Sequence, residues 1–155
     1  MNQRVRAAVI LPRGSSLLLV QHVDPETGAA WWVPPGGGLE ETDGTVLQCA
    51  RRETTEETGL HVRLGKLVYL REFCVAATDT RHLELFFLGD VTGGTLTMAN
   101  VRGTGPDEHM IREVRWVERR EMAGLTVYPE HLADGFWDDL EQGFPEVRYL
   151  GAQLG

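Results

Sequence analysis

Cysteine and long apolar runs are both scarce in this sequence. Only Cys49 and Cys74 are present, which is too few for the disulfide framework of a small secreted domain, and their spacing matches no metal-binding motif. The apolar run from Ala7 to Leu11 is shorter than a signal-peptide core or a membrane span, and Pro12 follows it directly. These absences predict a cytoplasmic protein that does not enter a membrane.

Positive charge is scarce as well. Lys and Arg number 15 against 23 Asp and Glu, which gives a formal net charge of -8 and a sequence pI near 5.1. This balance disfavours nonspecific binding to DNA or to anionic membranes, because both partners are polyanions. A site that handles phosphate groups in this chain therefore needs cations.

Internal repeats, low-complexity stretches and linkers are absent too. The 155 residues are expected to form a single domain, 1–155, because this length suits one hydrophobic core. The hydrophobic fraction of 42% and the charged fraction of 25% are ordinary for a globular protein. We therefore look for one site rather than for several modules.

The apolar pattern predicts a chain that is mainly β, with two helices. A helix is predicted over Thr45–Thr58, because this stretch lacks Pro and Gly and ends at Gly59. A second amphipathic helix is predicted after Pro129, where apolar residues recur at helical spacing up to Leu140. Alternating or apolar runs predict strands at Val5–Leu11, Leu17–Val23, Trp31–Val33, Val62–Phe73, Leu83–Asp90 and Val114–Val117.

A glycine loop that leads into a helix crowded with carboxylates is the most informative stretch. Gly36–Gly38 let the backbone approach a ligand closely and precede the segment Arg52–Leu60. On a helix, Glu53, Glu56 and Glu57 fall within roughly a 100° arc, so their like charges crowd one side of one turn. Such a face is commonly plain solvated surface. Beside the glycine loop it favours a hard divalent cation, Mg²⁺ or Mn²⁺, which prefers oxygen ligands.

Together these segments resemble the Nudix box, written G-x5-E-x7-R-E-U-x-E-E-x-G-U with U apolar. The run Arg52–Leu60 falls in register with the second half of that pattern. The run Trp31–Gly38 is similar to the strand and proline lead-in of the family, and Glu113–Val117 is similar to its late strand. The resemblance to the Nudix hydrolase family covers roughly residues 5 to 140.

The first half of the box allows two alignments. If Gly38 is the first glycine, Gly44 stands where the family has a glutamate. If Gly37 is the first glycine, Asp43 takes the glutamate position and one residue is inserted before Arg52. The supporting carboxylate of the box is therefore open at this point.

The resemblance implies an α/β fold, the Nudix α/β/α sandwich with a central mixed β-sheet, with the box helix on one face and the C-terminal helix toward the other. It implies that Glu53, Glu56 and Glu57 bind Mg²⁺ (or Mn²⁺), together with the carbonyl of Gly37 or of its neighbour Gly38. Arg52 is expected to orient a glutamate rather than to contact the substrate. The general base is expected to be Glu56 or Glu57, or a carboxylate of a later loop.

Candidate substrate contacts outside the box are Trp32, His82 and Glu108. Trp31 and Trp32 point to opposite faces of their strand, so one belongs to the core while the other is available to stack on a base. Alternation places His82 on one face with Glu84 and Phe86, and this mixed face is a candidate lining for the cleft, although a structural role competes for His82. Among the late carboxylates, which also include Asp107 and Glu113, Glu108 is preferred.

The resemblance implies a metal-dependent enzyme that adds water across the pyrophosphate bond of a nucleoside diphosphate derivative. A nucleoside triphosphate, ADP-ribose, a nucleotide sugar, a dinucleoside polyphosphate and a capped RNA end all fit the box. Two alternatives stay open, namely a catalytically silent nucleotide-binding module of the same fold and an isoprenoid diphosphate isomerase. The expected partner is a small nucleotide, with no DNA and no membrane. Homodimers are common in the family, although no coiled-coil pattern specifies one here.

Overall fold

The computed structural model describes residues 1–101 and 108–154, apart from the side chain of Glu108. The strands are β1 (Asn2–Ile10), β2 (Pro12–Arg13), β3 (Ser16–Val23), β4 (Ala30–Val33), β5 (Gly36–Gly38), β6 (Leu60–Val75), β7 (Thr80–Gly94), β8 (Ile111–Glu118) and β9 (Arg148–Leu154), and the helices are α1 (Val46–Thr58) and α2 (Phe136–Gln142). Within these described ranges, no helix has the length and apolarity needed to cross a membrane.

Two sheets build the fold. The larger sheet has the order β5-β1-β7-β6-β9 and is mixed, because β1 pairs in parallel with β7 whereas β6 pairs antiparallel with β7. The smaller sheet is antiparallel, with β3 pairing with β2, β4 and β8. The larger sheet is the central mixed sheet that the Nudix resemblance implies.

Strand β1 lies between two hydrophobic cores, and its side chains alternate between them. Ala7 and Val9 pack on one face of the sheet in a cluster with Cys49 of α1. Ala8 packs on the other face, in the cluster that contains Phe136 of α2. Because successive side chains of a strand point to opposite faces, one helix covers each side of the sheet. The expected α/β/α sandwich is confirmed.

Helix α1 has a defined signal at each end. The Thr45 side chain caps the backbone N–H of Gln48, and the Gln48 side chain accepts from the backbone N–H of Thr45, so two otherwise unsatisfied donors are bonded. Gly59 follows with φ 76°, a left-handed conformation that glycine adopts without strain. The predicted helix is confirmed, and its position fixes where the acidic residues lie.

The C-terminal region differs from the prediction. Instead of one helix after Pro129, a short 3₁₀ turn at Glu130–Ala133 is followed by α2. The break falls at Asp134, whose φ and ψ of -134° and -102° are not helical. Strand β9 was not predicted, because as an edge strand it lacks a buried face and its residues are half-buried or exposed.

Asp139 ties the C-terminal region to the sheet. Its carboxylate accepts the Tyr69 hydroxyl at 2.6 Å and Nη2 of Arg148 at 2.9 Å, and it lies 2.8 Å from Nε2 of His131. Burial opposes ionisation of this carboxyl group, but the hydrogen bonds from Tyr69 and His131 hold its pKa below the usual range. The group therefore links β6, α2 and β9 through charge-assisted hydrogen bonds.

Replacement of Tyr69 by Phe tests this link. Tyr69→Phe removes one buried hydrogen bond to a carboxylate, so we expect a loss of about 2 kcal/mol in the free energy of unfolding, measured by urea denaturation. Tyr149→Phe is the matched control, because the Tyr149 hydroxyl donates to Glu72 at 2.7 Å on the exposed surface, and it should change stability by less than about 0.5 kcal/mol. Equal losses in the two variants would show that Asp139 is not a structural link.

Candidate active site

The acidic side chains of α1 lie against the glycine strand β5. Oε1 of Glu57 accepts the backbone N–H of Gly36 at 2.8 Å. A Cβ atom at Gly37 would collide with the carboxyl group of Glu53, so a larger residue there would have to displace this side chain from the strand. The helix and the glycine run that the sequence pattern connects are therefore in direct contact.

Arg52 lies at the centre of the acidic cluster. Its Nη1 donates to Oε1 of Glu53 at 3.0 Å and to Oε2 of Glu56 at 3.2 Å. Its Nη2 donates to the backbone carbonyl of Gly38 at 3.3 Å. One guanidinium thus contacts two carboxylates of α1 and one carbonyl of β5, and the orienting role of Arg52 stays a prediction.

Asp43 is the carboxylate that lies closest to Arg52 in this cluster. It accepts Nε of Arg52 at 2.9 Å and Nη2 at 2.8 Å, and its side chain is only 4% exposed. The hydrogen bonds from Arg52 lower the pKa of Asp43 to about 2, so it is charged at neutral pH. Of the two alignments left open above, the one that starts at Gly37 and uses Asp43 agrees with this geometry.

Two carboxylates of the cluster lack full charge compensation. Glu57 is 5% exposed, and burial, followed by repulsion from Glu53, raises the pKa of Glu57 to about 8. Burial also raises the pKa of Glu53 above its ordinary value. Both raised pKa values mean that the protein by itself disfavours the charged carboxylates of Glu53 and Glu57. A cation bound beside them would lower both pKa values.

The donor set suits a hard divalent cation. Within residues 1–101 and 109–154, no three His, Cys, Asp or Glu side chains are placed so that they could hold a metal ion by themselves, as an all-protein cage would. Mg²⁺ seldom uses such a cage, because it takes a few carboxylates and leaves other positions to water and to substrate phosphates. The incompletely compensated carboxylates beside a backbone carbonyl therefore fit Mg²⁺ (or Mn²⁺).

A cavity of about 580 Å³ adjoins this cluster at Gly36. Its floor is the face of the larger sheet opposite α1, where pairing aligns Arg6 of β1 with Glu84 of β7 and Arg71 of β6. The next row aligns Arg4, His82 and Phe73 in the same order of strands. Trp31 of β4 and Tyr128 also line the cavity.

Positive charge is concentrated in this cavity. The described residues that line it include three arginines, Arg4, Arg6 and Arg71, and one carboxylate, Glu84. Glu84 pairs with Nε of Arg6 at 3.2 Å and with Nη2 of Arg71 at 3.4 Å. A chain with a net charge of -8 thus gathers guanidinium groups where anionic groups can enter.

A family model described as NUDIX domain matches residues 1–135. The chain belongs to the Nudix family. The acid cluster on α1 is accordingly the Nudix box of this chain, and the resemblance drawn from Arg52–Leu60 and the glycine run is confirmed.

Proteins that resemble this chain in sequence or in fold are named as phosphatases or as NUDIX hydrolases. Phosphatase NudJ of Escherichia coli K12 is 27% identical over 116 residues, which are 75% of this chain and 68% of that protein. Human 8-oxo-dGDP phosphatase NUDT18 is 30% identical over 89 residues, 57% of this chain, and the match spans only 25% of that protein. A NUDIX hydrolase from Nitrosomonas europaea has a TM-score of 0.68 at 23% identity, covering 96% of this chain and 93% of that one, which supports the fold. The expectation of a Nudix pyrophosphohydrolase is confirmed.

The three predicted substrate contacts of this Nudix chain, Trp32, His82 and Glu108, differ in where the structure places them. Trp32 is corrected, because it is 4% exposed and packs in the core, whereas Trp31 lines the cavity. His82 does line the cavity, 8% exposed and stacked on Phe73 with ring centroids 4.5 Å apart. The side chain of Glu108 lies outside the described part of the chain, so that prediction stays a prediction.

Of the other late carboxylates, Asp107 also lies outside the described residues. Glu113 of β8 is half-exposed and lies 3.5 Å from Nε of Arg115. Glu113 is therefore part of a surface ion pair. The glutamates that contact the glycine run are those of the box helix.

The arginines of the cavity are the functional candidates that sequence reasoning missed. Arg4 and Arg6 precede Ala8 at a spacing of two, and Arg71 lies inside a predicted strand. Alternation assigned His82, Glu84 and Phe86 to one face of their strand, and the cavity lining confirms this. The same alternation would have placed Arg4 and Arg6 on one face of β1. It could not show that β1, β7 and β6 are neighbours.

The raised pKa of Glu57 predicts a pH-dependent stability. Without metal, the folded state binds this proton more tightly than the unfolded state, so stability is fully present below the unfolded pKa near 4.5 and is lost as pH rises through about 8. We expect wild type in a chelator to lose up to about 1.4 kcal/mol per pH unit in that window relative to Glu57→Gln, measured by urea denaturation. Parallel curves for the two proteins would show that Glu57 does not titrate in this way.

Loss of charge at Asp43 should destabilise the cluster. Asp43→Asn keeps the shape of the side chain but leaves a half-buried Arg52 without its closest carboxylate, so we expect a loss of about 1–3 kcal/mol in unfolding free energy. Asp90→Asn is the control, because Asp90 pairs with Arg63 at 3.3 Å while both side chains are more than 70% exposed, and such pairs contribute at most about 1 kcal/mol. An Asp43→Asn variant as stable as Asp90→Asn would rule out the supporting role.

Proposed function

We propose that this Nudix chain hydrolyses the pyrophosphate bond of a nucleoside diphosphate derivative in a reaction that requires Mg²⁺ or Mn²⁺. One observation carries the proposal. The buried carboxylates of α1 contact the glycine strand, and this acidic cluster adjoins a cavity lined by arginines and aromatic rings. The cluster suits a cation and the cavity suits phosphates and a base.

The carboxylates of Glu53, Glu56 and Glu57, with the carbonyl of Gly37, are the proposed ligands of the cation. When bound there, a divalent cation neutralises phosphoryl oxygens and acidifies an attacking water. Arg52 keeps Glu53 and Glu56 in place through its two hydrogen bonds of 3.0 and 3.2 Å. Its role is to position these ligands.

The proposed reaction adds water to one phosphorus atom of the pyrophosphate. The bond from that phosphorus to the bridging oxygen breaks, the bridging oxygen leaves with the second phosphoryl group, and the water proton passes to a carboxylate. Glu56 and Glu57 are the proposed acceptors of this proton, one of which suffices. Arg4 and Arg6 lie on the cavity side of the glycine strand, where guanidinium groups stabilise charge on phosphate oxygens.

The substrate range of the proposal is a small nucleotide. A cavity of about 580 Å³ is of the size that accepts a nucleotide-sized ligand. The name of the human relative specifies 8-oxo-dGDP, so this diphosphate belongs in a test panel with nucleoside triphosphates, ADP-ribose, nucleotide sugars and dinucleoside polyphosphates. A homodimer and a cytoplasmic location stay predictions.

Turnover of this panel with and without Mg²⁺ tests the proposal. We expect release of phosphate or nucleotide from one class only when Mg²⁺ is present, and a loss of at least about 100-fold in kcat for Glu56→Gln or Glu57→Gln, since each change removes a ligand charge at nearly constant shape. Glu141→Gln on the exposed side of α2 is the matched control and should retain wild-type kcat. Turnover without a divalent cation, or full activity in both box variants, would contradict the proposed site.

A further inference from the structure

The cavity is long enough to separate the phosphates of a nucleotide from its base. Strand β5, which contacts the box helix, is separated from β6 by β1 and β7. Three strand spacings amount to about 14 Å. Arg4 and Arg6 lie on β1, near the acidic end, whereas Arg71 and Phe73 lie on β6 at the far end. A diphosphate bound at the box therefore leaves its base near Arg71.

The far end of the cavity has the composition of a base-binding site. Phe73 stacks on His82 with an angle of 10° between the rings, and the ring centre of Tyr128 lies 5.7 Å from the guanidinium carbon of Arg71. Tyr128 lines the same cavity. Flat side chains at this end favour an aromatic ligand, because stacking of a base on such rings is favourable for every base. Stacking alone does not distinguish one base from another.

Arg71 adds a polar group that does distinguish them. It is 8% exposed, its Nη2 lies 3.4 Å from Oε1 of Glu84, and its guanidinium carbon lies 5.0 Å from the ring centre of Phe73. Its Nε and Nη1 atoms are buried and meet no hydrogen-bond acceptor among the described residues. Buried donors without acceptors are unfavourable, so an acceptor on a ligand stabilises this end of the cavity once the guanidinium turns toward it.

A guanidinium only donates hydrogen bonds, and this restricts the bases that it can bind. Guanine presents O6 and N7 as adjacent acceptors, and uracil and thymine present carbonyl oxygens. Adenine presents an amino group beside N7, and that amino group is itself a donor. The arrangement at Arg71 therefore favours a base with an oxo edge.

We propose that Arg71 is a specificity-determining residue that makes this site prefer nucleotides with an oxo base, guanine or uracil, over adenine nucleotides. The proposal rests on the proposed function, because it places the phosphates at the box. Glu84 holds Arg71 in place, and the ring of Phe73 packs against its guanidinium.

Equilibrium binding of GDP, UDP and ADP as their α,β-methylene analogues in the presence of Mg²⁺ tests the preference without any turnover, because the methylene bridge cannot be hydrolysed. By isothermal titration calorimetry, we expect wild type to bind GDP and UDP roughly tenfold or more tightly than ADP, the range of discrimination given by a specific base contact. The wild-type comparison alone decides whether the preference exists, so it does not depend on how well any variant folds. Equal affinity for the three diphosphates would overturn the proposal.

Arg71→Gln then separates base recognition from attraction to phosphate. Glutamine offers an acceptor as well as donors and can therefore bond the amino edge of adenine, so we expect the ratio of GDP to ADP affinity to fall toward one. Arg81→Gln is the matched control, because Arg81 lies next to His82 on β7 but is exposed, and it should keep the wild-type ratio. An equal loss for all three diphosphates would assign Arg71 to phosphate or to structure and overturn the proposal.

The two proposals fail in distinguishable ways. A base preference in binding without Mg²⁺-dependent hydrolysis of any nucleotide would remove the proposed function and leave the role of Arg71 standing. Mg²⁺-dependent hydrolysis with equal binding of GDP, UDP and ADP would remove the proposed role of Arg71 and leave the proposed function standing.

Discussion

The arrangement of the site depends on one charged contact, the guanidinium of Arg52 among the carboxylates around it. Glu53 and Glu56 lie on one turn of α1 and repel each other, and Arg52 compensates part of that charge. Its remaining donors bond Asp43 and the carbonyl of Gly38, so the same side chain joins the helix to the glycine strand. Helix, loop and acids are therefore held as one unit.

Charge is divided across the larger sheet. Carboxylates crowd the contact between α1 and β5, whereas arginines line the opposite face of the sheet. Arg6 belongs to both regions, because it pairs with Glu84 and its charge acts against the raised pKa of Glu57. Acidic groups that suit a cation and guanidinium groups that suit phosphates therefore lie at neighbouring positions of an acidic chain.

Local sequence signals were sufficient to predict helix α1. They were insufficient to predict which side chains are buried by packing between distant segments. The Thr45 cap, the absence of Pro and Gly and the stop at Gly59 define α1 from sequence alone. Alternation showed that Trp31 and Trp32 face opposite ways, but only the packing of the smaller sheet decides that Trp32 is the core residue. The path of the loop before α1 likewise brings Asp43 to Arg52, whereas the sequence pattern permitted two alignments of the box.

The sequence by itself determined the spacing of the acids on α1, the glycine strand that must approach them and membership of the Nudix family, because each of these depends on residues close together in the chain. The lining of the cavity, in contrast, depends on the tertiary structure. Arg6, Glu84 and Arg71 come from three strands that meet through a parallel pairing of β1 with β7 and an antiparallel pairing of β7 with β6. Their register follows from burial on both faces of the sheet, a non-local constraint that no short stretch of sequence contains.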